Sequence, residues 1–234
     1  MGAIFMKELK SYFYSPIAYV LIGFFIVITS VFFVPNLTLQ SGEFNSNIAN
    51  MGYMLIFIVP ILTMRILAEE RKNGTDVMLI TSPVSLTSIV LGKYFSAFAV
   101  FIVLTVVSFI YPLVLVSFGA KVTAQMIGGY VGFILLGGSF IAVGLFASSL
   151  TENQIISAVI GFVSLLIMWI ASGIAGMVGG FTGRILMWFS LMSRYEDFNR
   201  GIISLSPIVY YISFISLFLF ITGLMIEKRR WSQG

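Results

Sequence analysis

With 234 residues, 59% of them hydrophobic and 9% charged, and a mean hydropathy of +1.06, the chain exceeds the roughly 45–50% apolar share of soluble domains. That leaves too few polar residues to cover a water-facing surface. The formal charge of +4, from 13 basic and 9 acidic residues, sits in short clusters beside apolar runs, a pattern suited to lipid headgroups and not to nucleic acid. Cysteine and histidine are both absent, so disulfides, thiolate zinc sites, cysteine nucleophiles and imidazole bases are excluded from this chain.

Residues 3–15 mix apolar and charged positions at helical spacing and stop at Ser15-Pro16, which predicts a helix lying in the membrane interface. A helix needs about 20 apolar residues to cross the hydrocarbon core. Six runs meet that need, at 17–34, 51–67, 88–118, 126–150, 155–178 and 207–226. A polar loop over Pro35 to Asn50 separates the first two, and Arg65 stands at the end of the second. The third carries Lys93 near its start and Pro112 inside, which removes a backbone bond. Only Thr151-Glu152-Asn153-Gln154 joins the fourth to the fifth, so these two form an antiparallel hairpin. The segment 179–206 is Gly-flanked and partly apolar but holds Arg194, Glu196, Asp197 and Arg200. It is expected to enter the outer interface without crossing; the competing reading extends the fifth or sixth span through Ile185 to Met192. The fold class is therefore all-α, a polytopic membrane protein with six transmembrane helices.

Orientation follows from basic residues in alternate loops. With both termini inside, Lys7, Lys10, Arg65, Arg71, Lys72, Lys93, Lys228, Arg229 and Arg230 are cytoplasmic, nine against the four of Lys121, Arg184, Arg194 and Arg200. The expected topology is N-in and C-in. The first apolar run is too long for a cleavable signal peptide and lacks a small-residue cleavage site. Met6 stands where a myristoylation signal needs Ser or Thr.

Several chemistries find no residues to carry them. No phosphate loop occurs, because Gly92-Lys93 is followed by Tyr94 and preceded by Thr87 where the first glycine would stand. No span carries an ionisable group near its middle, which disfavours a self-sufficient channel or secondary carrier. The adjacent carboxylates Glu69-Glu70 and Glu196-Asp197 diverge along a helix and read as solvated faces. The pairs Gly128/Gly132 and Gly176/Gly180 permit close helix approach, within one subunit more readily than between subunits.

The stretch Ala68 to Thr87 is the most informative. Asn73-Gly74 breaks the preceding helix, Thr75 is placed to cap a new one, Asp76 suits its positive start, and Val77 to Ile80 form an apolar knob before Ser82-Pro83. An apolar knob flanked by charges reads as a docking site for another protein, against the plainer reading of a helix resting on headgroups.

The run Glu-Glu-Arg-x-x-Gly-Thr-x-x-x-Leu-x-x-Ser-Pro-Val-Ser from Glu69 to Ser85 closely resembles the loop of ABC-2 type transporter permeases. In that family this loop forms a coupling helix that inserts into a groove of the ATPase subunit. Lys7-Glu8-Leu9-Lys10 before Ser15-Pro16 is similar to the family's amphipathic elbow helix, and Ser148 to Gln154 to its second, shorter cytoplasmic contact. Tyr195 to Gly201, Tyr210-Tyr211 and Glu227 to Trp231 resemble the gliding-motility-associated subgroup. That subgroup tends to carry His where Tyr195 stands and an acidic residue near Ser204.

The resemblance implies a single membrane domain over 1–234, with a coupling loop at 69–85. It implies a non-catalytic permease, an exporter of the bacterial inner membrane, and a second permease chain, identical or related. An ABC ATPase would hold the ATP and Mg²⁺, with no cofactor or metal in this chain. Glu69, Glu70, Arg71, Gly74, Thr75, Asp76, Val77, Leu79, Ile80, Ser82 and Pro83 would couple to the ATPase. Thr151, Glu152 and Asn153 would make the second contact, and Arg194, Glu196, Asp197 and Arg200 would shape an outer gate or meet an extracytoplasmic accessory protein. The alternative within the family is a mechanotransmission scaffold that passes the energy of ATP to such a partner without moving a solute.

Overall fold

The computed structural model describes residues 1–38, 44–75, 84–119, 121 and 123–232. Among them the regular structure is entirely helical: α1 (Gly2–Tyr14), α2 (Pro16–Thr38), α3 (Asn45–Thr63), α4 (Ala68–Lys72), α5 (Leu86–Ser108), α6 (Ile110–Ser117), α7 (Ala124–Leu150), α8 (Gln154–Val178), α9 (Gly180–Phe189), α10 (Leu191–Asn199) and α11 (Leu205–Ser232). Six stretches are long and apolar enough to cross a membrane: Pro16–Leu37, Asn45–Lys72, Leu86–Ser117, Ala124–Leu150, Gln154–Val178 and Leu205–Lys228.

Helix α7 is the axis of the bundle, packed by α3, α5, α8, α10 and α11. It reaches that position because its small residues let neighbours come close. A Cβ at Gly137 would overlap the Phe101 ring of α5, and one at Gly144 would overlap Thr63 of α3. Gly128 and Gly132 likewise receive the backbone of Phe198 and its side chain from α10, so this glycine pair packs within the chain. Gly176 has open space around it, and Gly180, at φ +61°, opens α9. Helices α2, α8 and α11 turn Val20, Val27, Val163, Ile167, Leu217 and Phe220 outward. In a bilayer such apolar faces are solvated by lipid, and spanning backbone groups must be satisfied within the protein.

Four expected boundaries move. Helix α2 continues through Pro35 to Thr38, because one proline removes one hydrogen bond and does not end a helix held in lipid. Helix α3 begins at Asn45, inside the expected loop, because Phe44 and Ile48 anchor that turn in the core. The second span is then interrupted at Met64 to Leu67 before α4. The third is divided at Phe109, where Pro112 leaves the Ser108 carbonyl without its helical donor.

The segment after α8 does not extend a span. Gly179 and Gly180 adopt φ of +60° and +61°, a left-handed bend that side chains resist, and Ser190 accepts a hydrogen bond from the Ser193 N–H to start α10. With 10 and 9 residues, α9 and α10 are too short to cross. Helix α10 buries Leu191, Met192, Tyr195 and Phe198 against the bundle.

Candidate functional site

At one end of the bundle α1, α4 and α5 meet around Lys93, whose side chain is 0% exposed. Its Nζ donates to Glu8 Oε1 of α1 at 2.9 Å and to the Ile66 carbonyl in the span break at 2.8 Å. A third contact, 2.7 Å, reaches Glu70 Oε2 of α4. An ammonium has three N–H donors, and here each has an acceptor. Without them the charge would cost several kcal/mol to bury. Lys7 adds contacts of 3.1 Å to Glu70 and 3.6 Å to Glu8. Beside this group Arg65 pairs with Glu69 at 2.7 Å and donates to Ser15 Oγ at 3.1 Å. Lys7, Arg65 and Lys93 thus balance Glu8, Glu69 and Glu70. The Tyr12 hydroxyl donates to the Leu62 carbonyl at 2.7 Å, a further tie between α1 and the second span.

Protonation is settled by the same contacts. Burial pulls the Lys7 ammonium down, but the hydrogen bond and charges of Glu70 and Glu8 outweigh it and hold the group above its ordinary value. Burial pushes the Tyr12 phenol well up, with the Glu8 carboxylate adding to it.

The break in the second span is closed from α7. Ser148 Oγ accepts from the N–H groups of Leu67 and Ala68, each at 3.1 Å, and donates to the Met64 carbonyl at 3.1 Å. Beyond α4 the chain turns in a Schellman motif: Gly74, at φ +68°, donates to the Arg71 carbonyl at 3.1 Å, and the Thr75 N–H to the Glu70 carbonyl at 2.9 Å. Gly74 ends the helix as its position implies. The Thr75 hydroxyl points back to the same Glu70 carbonyl.

These contacts change the reading of the paired acids. Glu70, taken from sequence as part of a solvated face, is 12% exposed and turned toward Lys93. Glu69 is bound by Arg65, Arg71 is half-buried, and Lys72 is exposed. Asp76, Val77, Leu79, Ile80, Ser82 and Pro83 lie outside the described residues.

The second expected contact lies beside the first. Asn153 Oδ1 accepts the Ile155 N–H at 2.9 Å to cap α8, and Thr151 Oγ1 accepts the Asn153 N–H at 3.1 Å. An open cleft of about 460 Å³ is lined by Lys72, Glu152, Asn153, Gln154 and Ile155. The end of α4 and the α7–α8 turn therefore share one concave surface.

The outer candidates form no comparable network among the described residues. Arg194 sits 5.4 Å from the centre of the Tyr210 ring, a cation–π distance. Glu196 and Arg200 make an exposed pair at 3.8 Å. Asp197 is half-buried, and its carbonyl accepts the Ile202 N–H. Burial pushes the Tyr195 phenol up.

Sequence reasoning missed Lys93, Glu8, Arg65 and Ser148 as one assembly. The signal was a lysine five positions inside the apolar run 88–118, since such a charge demands a partner. Which of Glu8, Glu69 and Glu70 it takes depends on how α1 lies across the bundle. Among the described residues no group of three or more acidic side chains is placed to hold a metal.

Residues 36–228 match the family described as ABC-2 family transporter protein. The match runs from the end of α2 into α11 and leaves α1, with Lys7 and Glu8, outside it. No curated protein matches the chain.

Proposed function

The chain belongs to the ABC-2 family of transporter proteins, a multi-pass membrane permease, and we propose that it serves an exporter driven by a separate ABC ATPase docking on the Lys72–Glu152 cleft. The observation that carries this reading is the cleft itself, where the end of α4 and the α7–α8 turn offer one surface at one end of the bundle. Loop 69–85 leaves α4 at that surface. Its apolar residues Val77, Leu79 and Ile80, with Asp76, Ser82 and Pro83, supply the knob that enters the ATPase. Arg71, Thr75, Thr151, Glu152 and Asn153 supply the polar rim.

In this reading the ATPase holds the ATP and Mg²⁺, and this chain is non-catalytic. ATP binding closes the ATPase dimer and pushes the loop. Glu70 carries the push to Lys93 on α5, and Ser148 carries it to α7. Glu69 and Glu70 act by positioning the loop from within, and Gly74 sets its exit direction. Two permease chains, identical or related, complete the assembly in the bacterial inner membrane with both termini cytoplasmic. Arg194, Glu196, Asp197 and Arg200 then face the exit side, as a gate or as the seat of an accessory protein. The likeness over Tyr195 to Gly201 and at Tyr210-Tyr211 supports a place near the gliding-motility-associated subgroup.

The test is a pull-down of the detergent-solubilised chain with the ATPase encoded beside it. Wild type is expected to capture the ATPase, and Leu79→Glu and Glu152→Lys to lose it while eluting as folded protein. Capture that ignores both substitutions would refute the docking surface.

A further inference from the structure

The break in the third span leaves an apolar groove at the other end of the bundle. Its origin is Pro112. The ring removes the donor that the Ser108 carbonyl would use, and the Tyr130 hydroxyl of α7 takes that carbonyl at 3.2 Å. The Tyr130 ring stacks on Phe109, 4.4 Å between centroids. Helix α6 follows α5 across the interruption at Phe109, and a cavity of about 520 Å³ lies between α6 and the start of α7. Phe109, Leu113 and Val116 form one wall, and Met126, Ile127 and Ile134 the other. No polar atom is exposed in it. Leu113 and Ile127 on its rim are 68% and 56% exposed, so it opens sideways from the bundle.

We propose that this groove seats one acyl chain of an anionic phospholipid, in the leaflet opposite the ion cluster, with the lipid phosphate on Lys121. Three observations carry the assignment. First, the groove follows α7 from Met126 to Ile134, about 12 Å of helix rise, against the roughly 15 Å depth of one leaflet's hydrocarbon. Second, its volume falls among small-ligand sites of about 300–1,000 Å³, whereas a helix of a second copy is about 10 Å across with its side chains. Third, Lys121 lies in the short connection between Ser117 and Ala124, which joins α6 to α7 just past the Val116 and Met126 that line the groove. It is exposed and has no carboxylate partner among the described residues. A cation above an acyl-sized slot complements a phosphate above a chain. The Tyr130 hydroxyl is spent on Ser108, so the slot offers nothing to a polar solute. The assignment does not depend on the ATPase reading.

The experiment reconstitutes the whole chain in nanodiscs with a phosphatidylglycerol that carries a diazirine at the end of one acyl chain, and in parallel with the phosphatidylcholine of the same chains. Photolabelling is mapped by peptide mass spectrometry. Labelling is expected to concentrate on 109–134 and to favour phosphatidylglycerol about fivefold, the effect of one lysine near a headgroup. Ile127→Trp, a filling of the exposed rim, should remove the concentration, and Lys121→Gln should remove the headgroup preference while labelling persists. Labels spread over α2, α8 and α11 in proportion to exposure would mean bulk lipid only and would overturn the site. Protection of 109–134 from both lipids, with chain-to-chain crosslinks there, would overturn it in favour of a second copy. A headgroup preference that survives Lys121→Gln would overturn the role of that residue.

Discussion

Two spanning segments are interrupted, and α7 mends both, yet the two mends sit in opposite surroundings. At Met64 to Leu67 the mending hydroxyl is Ser148, beside Lys93, Glu70 and Arg65. At Ser108 it is Tyr130, among the rings of Phe109 and Phe44. The two hydroxyls stand eighteen positions apart on α7, about 27 Å of rise. A broken helix in a membrane must have its freed carbonyls answered from a neighbour, and at both breaks α7 answers. The surroundings of each break differ accordingly, with charges where the chain leaves α4 for its loop and rings where the face is apolar.

The comparison breaks first at Lys93. Replacing it by Met leaves the part-buried Glu8 and Glu70 with only the exposed Lys7 as a cation, and a loss toward the lower end of about 3–5 kcal/mol is expected by unfolding in mixed micelles. Adding Glu8→Gln and Glu70→Gln should restore much of that loss. A neutral Lys93→Met would show that the cluster does not hold α1, α4 and α5 together. Next is Ser148→Ala, which strands the Met64 carbonyl and the Leu67 and Ala68 N–H groups together, at about 1–3 kcal/mol. Tyr130→Phe removes one donor from one carbonyl and should cost less, about 0.6–1.7 kcal/mol. If Tyr130→Phe proves the costlier of the two, the contrast between the ends is wrong.

The smallest effect is expected at Lys7, which is 64% exposed. Lys7→Ala should change stability by less than about 1 kcal/mol, and salt should diminish it further. Its pH dependence has a definite sign. The folded chain holds Lys7 above its ordinary value of 10.5, so its contribution is complete below about pH 10.5 and fades only as pH rises through the raised value. A loss of that contribution between pH 7 and 9, read by the wild-type minus Lys7→Ala difference, would contradict the contacts with Glu70 and Glu8.

Much of the architecture was legible because hydropathy acts along the chain. The runs at 126–150 and 155–178 fall within two residues of α7 and α8, and Gly74 marks the end of α4 through its own backbone freedom. The errors have tertiary causes. Asn45 to Asn50 were too polar to count as a span, although Phe44 and Ile48 pin them in the core. Glu70 was read as solvated because its cation lies 23 positions away on another helix. Gly179-Gly180 allowed a bend, but whether the next residues prolonged a span turned on the packing of Phe198 against α7.

The amino-acid order alone therefore determined an all-α membrane protein with six crossing segments and a glycine stop at the end of α4. These are properties of local hydropathy and backbone preference, which need no knowledge of neighbours. Only the tertiary structure decided that Lys93 is enclosed by Glu8 and Glu70, that Ser148 and Tyr130 close the two breaks, and that an apolar groove remains beside Pro112. Each joins residues tens of positions apart, and a charge or hydroxyl buried away from water takes its role from whichever acceptor packing brings within reach.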